Sequence, residues 1–130
     1  MQTLQSFRDL KVWQKAMTLV EEIYRVTRHF PRDEQFGLTA QIRRASVSIP
    51  SSIGEGKRRR HQRVYVQHLL IALGSQGELE VQLEIAKRVG ILANEEYEAL
   101  QTSVVEVGRM LSGLIASLEP PMNGKGESPE

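Results

Sequence analysis

Hydrophobic positions recur every three or four residues along most of this 130-residue chain, and no stretch alternates one by one. That spacing turns one face of an α-helix toward a core, whereas a period of two would mark strands. The first amphipathic segment predicts a helix over residues 10–29. Trp13, Ala16, Met17, Val20, Ile23 and Tyr24 form its apolar stripe, and Val12, Leu19 and Val26 widen it. Asp9 stands where an N-cap belongs. Phe30-Pro31 ends the helix, because the residue before proline is pushed out of the α region.

Asp33 and Glu34 suit the positive end of a second helix, whose ladder is Leu38, Ile42, Ala45, Ile49 and Ile53. Pro50 sits inside that ladder. Its ring removes one hydrogen bond and crowds the carbonyl of Ser46, which predicts a kink, or a break with a fresh start. Gly54 and Gly56 weaken the helix further. A third helix over 61–89, closed by Gly90 in the left-handed region, carries the seam Leu69, Ala72, Gln76, Leu79, Leu83 and Ala86. Gly74 and Gly77 interrupt it at a cost of about 0.5–1 kcal/mol each relative to alanine, so another helix is expected to pass close there. Asn94-Glu95-Glu96 opens a fourth helix. Its heptad, Leu100, Val104, Val107, Leu111, Leu114 and Leu118, is the most regular in the chain, and Glu119-Pro120-Pro121 stops it.

Four long helices with short connections imply an all-α fold, an up-and-down antiparallel four-helix bundle with its second helix kinked at Pro50. The expected division is an N-terminal extension over 1–8, the bundle over 9–118, and a disordered tail over 119–130 rich in Gly, Pro and Ser. The apolar stripes of the first and fourth helices are wider than one partner would cover, and self-association would bury the remainder. With 40% hydrophobic and 25% charged residues, the composition is that of a soluble globular domain. The absence of cysteine excludes disulfides and thiolate metal sites. The first residues lack a secretory pattern, and no apolar run approaches the roughly 18 residues of a membrane span, so the cytoplasm is the expected location.

The net charge of +1 conceals a division along the chain. Residues 1–66 hold 13 Lys/Arg against 6 Asp/Glu, a net of +7, and residues 67–130 hold 4 against 10, a net of −6. Such asymmetry marks either an anionic partner or packing of the basic half against the acidic half, within one subunit or between neighbours. The densest feature is Lys57-Arg58-Arg59-Arg60-His61-Gln62-Arg63. Lys57, Arg58, Arg59, Arg60 and Arg63 repel one another, and phosphates or a neighbour's carboxylates would offset that repulsion. The plain alternative is a solvated helix start. Tyr65 is the one aromatic nearby in sequence, which favours contact with a nucleic-acid backbone over reading of bases. Arg43 and Arg44 on a mostly apolar helix, with Glu55, Glu78 and Glu80, are candidates for structural ion pairs inside or between subunits, with a phosphate or partner site as the alternative.

Catalysis finds little support. The chain has no glycine-rich phosphate loop, no Glu-x-x-His repeat and no His-x-x-x-His pair, so no metal, cofactor or small-molecule substrate is expected. Ser46, Ser48, Ser51 and Ser52 have no histidine within local reach, and they suit the carbonyls freed at Pro50. Arg63 and His68 match a loose ribonuclease spacing. At 100° per residue they stand about 140° apart on a helix, and Val64 replaces the polar residue usual after the arginine.

Several segments together carry a family resemblance. They are Phe7-Arg8-Asp9-Leu10-Lys11-Val12-Trp13-Gln14-Lys15-Ala16, Phe30-Pro31, Glu34 with Phe36-Gly37-Leu38, and the run from Gln41 to Gly56, then Ile71-Ala72-Leu73-Gly74-Ser75 and Glu78-Leu79-Glu80. Over residues 7–118 the chain closely resembles the bacterial four helix bundle proteins, also called 23S ribosomal RNA intervening-sequence proteins. Ser52 and Gly54 depart from the usual asparagine and alanine. The resemblance implies an up-and-down bundle assembled as a ring, a pentamer in relatives, with no established enzymatic activity. A related group, the accessory proteins of diversity-generating retroelements, forms basic rings that bind a reverse transcriptase and nucleic acid. The partners so implied are further copies of the chain, RNA or DNA, and a reverse transcriptase.

Overall fold

The apolar ladders fold as four helices, α1 (Lys11–Thr27), α2 (Leu38–Arg58), α3 (Gln62–Arg88) and α4 (Asn94–Leu118), in the computed structural model, which describes residues 6–119. Each helix packs on the next and α1 closes against α4, while α1 and α3 stand diagonally without contact. Among the described residues there is no strand. The expected N-terminal extension and tail lie largely outside the described residues.

The α3 seam buries as its spacing predicts, and so does the α4 seam from Leu100 to Leu111, after which Leu114 and Leu118 are half-buried and Ile115 takes the core position. Leu69, Ala72, Leu79 and Leu83 are fully inaccessible, as are Val104, Val107 and Leu111 facing them. At roughly 1.5–3 kcal/mol per large apolar side chain, this contiguous core is the main source of stability. Two polar contacts cross it between helices. Gln76 donates through Nε2 to the Val104 carbonyl at 3.0 Å, and the Ser48 and Ser75 hydroxyls share a hydrogen bond of 2.8 Å between α2 and α3.

Several local expectations are corrected. Helix α1 buries Val12, Ala16, Leu19, Ile23 and Val26, and the neighbouring stripe of Trp13, Met17, Val20 and Tyr24 stays partly exposed. Asp9 does not cap α1. With Ser6 it closes a capping box around the short 3₁₀ turn Phe7–Asp9, and Leu10 occupies the cap position of α1. Asp33 and Glu34 belong to a separate 3₁₀ turn, Arg32–Glu34, although Glu34 Oε1 still accepts from the Leu38 amide at 3.1 Å and so serves α2 from outside.

Helix α2 runs through Pro50 as a single helix, so of the two outcomes expected there, a kink or a break, the break does not occur. The proline ring is buried, and the Ser46 hydroxyl donates to the Arg43 carbonyl at 2.9 Å. Gly74 and Gly77 do not meet another helix of the chain, for a methyl group at either would find nothing within 4 Å. The close approaches fall elsewhere. A Cβ at Gly56 would lie 2.6 Å from His68 Cβ, and one at Gly108 would lie 2.7 Å from Gln76. Gly90 takes the left-handed conformation expected of it, with φ at +86°.

Candidate nucleic-acid interface

Up-and-down topology brings the start of α1, the end of α2, the start of α3 and the end of α4 to one end of the bundle. Phe7 fixes that arrangement. Its ring stacks edge-on against Trp13 at 5.1 Å and lies 3.5 Å from the position a Gly54 Cβ would take. Across the same end, the Gln62 side-chain amide donates to the Leu118 carbonyl.

Arg8 and Lys11 lie at the same end of the bundle as Lys57, Arg58, Arg59, Arg60 and Arg63; Arg8 lays its guanidinium 4.6 Å from the centre of the Phe7 ring, and Lys11 borders a hollow with Glu106 between α1 and α4. Arg58, Arg59, Arg60 and Arg63 are exposed, and Lys57 is half-buried with its ammonium 5.6 Å from the centre of the Tyr65 ring. Among the described residues one ion pair forms at this end, Arg59 with Glu55 at 3.6 Å. Both side chains are exposed on one helix face, a geometry that contributes only about 0.3–0.5 kcal/mol. Among the described residues the guanidinium groups of Arg58, Arg60 and Arg63 form no ion pair.

The turn carrying these arginines is under conformational constraint. Only Arg59, Arg60 and His61 separate α2 from α3, and Arg60 takes φ of +61°, the left-handed region that glycine enters most easily. Beneath the turn, Tyr65 is buried and its hydroxyl has no partner among the described residues. Burial pushes its phenol above the ordinary value of 10.0.

The ion-pair candidates fare differently from one another. Arg43 donates through Nε to the Thr27 hydroxyl at 2.8 Å and lays its guanidinium 4.5 Å from the centre of the Tyr24 ring, so it meets no carboxylate. Glu55 pairs with Arg59, outside the candidate set. Among the described residues, Arg44, Glu78 and Glu80 form no ion pair within the chain; Arg44 and Glu78 are exposed and Glu80 is half-buried. Arg63 is exposed in the first turn of α3, and His68 packs against Gly56.

Among the described residues no group of three acidic or histidine side chains comes together to hold a metal ion. No helix among them is long and apolar enough to cross a membrane. A groove of about 750 Å³ opens beside the basic end, between α1 and α2, with Trp13, Met17, Val20, Val47 and Pro50 in its walls and Arg58 and Arg59 at its mouth.

Sequence reasoning missed Arg8 and Lys11, which lie more than 45 residues from the basic run. It also missed the aromatic pair, Phe7 and Trp13, that the fold places beside Arg58 and Arg59. Antiparallel topology itself was the signal that could have found them, since it sets the first residues of α1 beside the last of α2.

The sequence model of the 23S rRNA-intervening sequence proteins matches residues 8–113. The chain belongs to that family. Among solved structures, this intervening-sequence protein is similar to a protein of unknown function from the S23 ribosomal protein family of Bacteroides thetaiotaomicron. The two share 24% identity and a TM-score of 0.76, over 81% of this chain and 95% of that one, a likeness that speaks to the fold. No curated protein matches.

Proposed function

We propose that this intervening-sequence protein is a non-enzymatic, cytoplasmic bundle that assembles with copies of itself and contacts nucleic acid, or an enzyme acting on nucleic acid, through its basic end. The observation that carries the reading is the exposed run of Arg58, Arg59, Arg60 and Arg63 at the α2–α3 turn, with a single weak ion pair, Arg59 with Glu55, to neutralise it among the described residues. Each phosphate met there would release counterions, giving salt-dependent and largely sequence-independent binding. Repetition of the end around an assembly would raise a weak contact through multivalency. The apolar residues left on the surface, Ile71 and Val81 of α3 among them, support self-association.

An electrophoretic mobility assay with structured RNA and duplex DNA tests the nucleic-acid contact. Retarded complexes are expected at about 50 mM salt and weaker ones at about 200 mM. The variant Arg58→Gln/Arg59→Gln/Arg60→Gln should retard neither ligand at the higher salt. Absence of any shift at low salt with either nucleic acid would exclude direct contact. The exposed face of α3 also favours a second reading, a scaffold for protein partners alone. In that case the triple variant would keep every cellular partner in a pull-down.

A further inference from the structure

A second group of arginines lies at the other end of the bundle, where α1 passes into α2. Thr39 to Arg58 spans about 28 Å of α2 at 1.5 Å per residue, so this group stands well away from the basic end. Arg28, Arg32 and Arg43 border a hollow of about 270 Å³ there, together with Thr27 and Thr39. Among the described residues no acid lines the hollow, and none of the three arginines forms an ion pair. Of the acids nearby in sequence, Asp33 is exposed and Glu34 is turned to the Leu38 amide.

Part of the wall is held rigidly. Thr27 is 3% exposed, and its hydroxyl donates to the Ile23 carbonyl at 2.7 Å while accepting from Arg43 Nε at 2.8 Å. The Arg43 guanidinium also rests 4.5 Å from the centre of the Tyr24 ring. These two contacts set the position of the guanidinium and leave Nη1 and Nη2 without a partner among the described residues. Thr39 is 6% exposed, and its hydroxyl likewise has no partner among the described residues. Buried hydroxyls are nearly always satisfied, so an unpartnered one in the wall of a cationic hollow points to an acceptor that enters from outside. The carbonyls closing α1 do not supply it, for those of Tyr24, Val26 and Thr27 accept from the Arg28, His29 and Phe30 amides.

We propose that this hollow binds a phosphate group, either the free ion or the terminal phosphate of a small phosphomonoester. Guanidinium groups donate and never accept, so the occupant must be rich in acceptors. Three cations without a counter-charge favour an anion carrying more than one charge, as a phosphate group does near neutral pH. The planar fork of arginine meets two phosphate oxygens at once. Arg43 would present its two free nitrogens in this way, with the Thr39 hydroxyl donating to a third oxygen. Thr39 is also the second residue of α2, where the positive end of the helix dipole favours an anion. Pockets for drug-sized ligands run from roughly 300 to 1,000 Å³, so this smaller hollow suits the phosphate group alone, with the remainder of a monoester outside.

Titration of the full chain with inorganic phosphate, in a phosphate-free buffer, tests the proposal. Calorimetry should show one saturable site per chain. Proton–nitrogen correlation spectra should show the Thr39 amide and the Arg43 Nε–H among the signals that move. Thr39→Val removes the hydroxyl and nearly keeps the shape, and Arg43→Gln removes the fork. Each should weaken phosphate binding about tenfold or more, as the loss of a hydrogen bond to a charged group does. Circular dichroism checks that both variants stay helical, and Arg43→Lys replaces Arg43→Gln if it does not. The basic-end variant Arg58→Gln/Arg59→Gln/Arg60→Gln should bind phosphate as the wild type does.

Adenosine monophosphate distinguishes the sources. Displacement of inorganic phosphate, with the same dependence on Thr39, would assign a monoester's terminal phosphate; failure to displace it would assign the free ion. Phosphate binding that survives both the Thr39 and Arg43 substitutions would overturn the site. So would binding lost from the basic-end variant. Millimolar phosphate that leaves the wild-type Thr39 and Arg43 signals unmoved would also overturn it, and that measurement needs no variant to fold.

Discussion

Replacing Gly56 by alanine pits helix propensity against packing. In a free helix the change gains about 0.8–1.0 kcal/mol, because alanine loses less backbone freedom on folding. In this bundle the new methyl would stand 2.6 Å from His68 Cβ and 3.2 Å from both His68 Cγ and Tyr65 Cδ1. Carbon atoms pack at about 3.5–4.0 Å, so α2 and α3 would have to part by roughly 1 Å at their crossing. No rotamer of His68 relieves the contact, since Cβ is bonded directly to the α3 backbone. Overpacking of this kind costs about 1–3 kcal/mol, so Gly56→Ala should lose up to roughly 2 kcal/mol net.

Gly113 supplies the reference, for it lies exposed in α4 with nothing within 4 Å of an added Cβ, and Gly113→Ala should show the full propensity gain. The two variants should therefore differ by roughly 1–3 kcal/mol. Urea unfolding followed by far-ultraviolet circular dichroism, at one fixed protein concentration, measures the difference. A Gly56→Ala protein as stable as Gly113→Ala would show that the α2–α3 crossing is not as close as described.

Two further outcomes follow from the basic end. Arg60→Gly should raise stability by about 1 kcal/mol by relieving the left-handed arginine, while weakening low-salt polyanion binding, as read by urea unfolding and by mobility shift. Tyr65→Phe removes a buried hydroxyl that has no partner among the described residues, so stability at neutral pH should hold or rise. The folded phenol titrates above its unfolded value of 10.0. Its contribution is therefore fully present below about pH 10 and is lost as pH climbs through the folded value. The alkaline decline in melting temperature should be shallower in the phenylalanine variant.

Helix number and the α3 and α4 seams were legible because a single apolar stripe leaves one way to face a core, as Leu100, Val104, Val107 and Leu111 do. Helix α1 has two adjacent stripes of similar hydrophobicity, and spacing alone cannot say which faces inward. The smaller stripe, Val12, Ala16, Leu19 and Ile23, takes the core, and the bulkier Trp13, Met17 and Val20 line the groove. Glycine was ambiguous for a related reason. The same residue marks tight helix crossings at Gly56 and Gly108 and open surface at Gly74 and Gly77, and only the three-dimensional neighbours tell them apart. The basic run was plain in the sequence, but the placing of Arg8 and Lys11 at the same end depends on helix direction. Cap residues were least legible, because Asp9 and Glu34 act on turns and amides one step away from the expected ones.

The basic end as a phosphate-binding surface is tested most directly by the salt dependence of affinity for duplex DNA. Plots of log K against log salt concentration should be linear for the wild type, and Arg58→Gln/Arg59→Gln/Arg60→Gln should flatten the slope by about 2–3. Equal slopes for the two proteins, or an affinity indifferent to salt, would contradict the account.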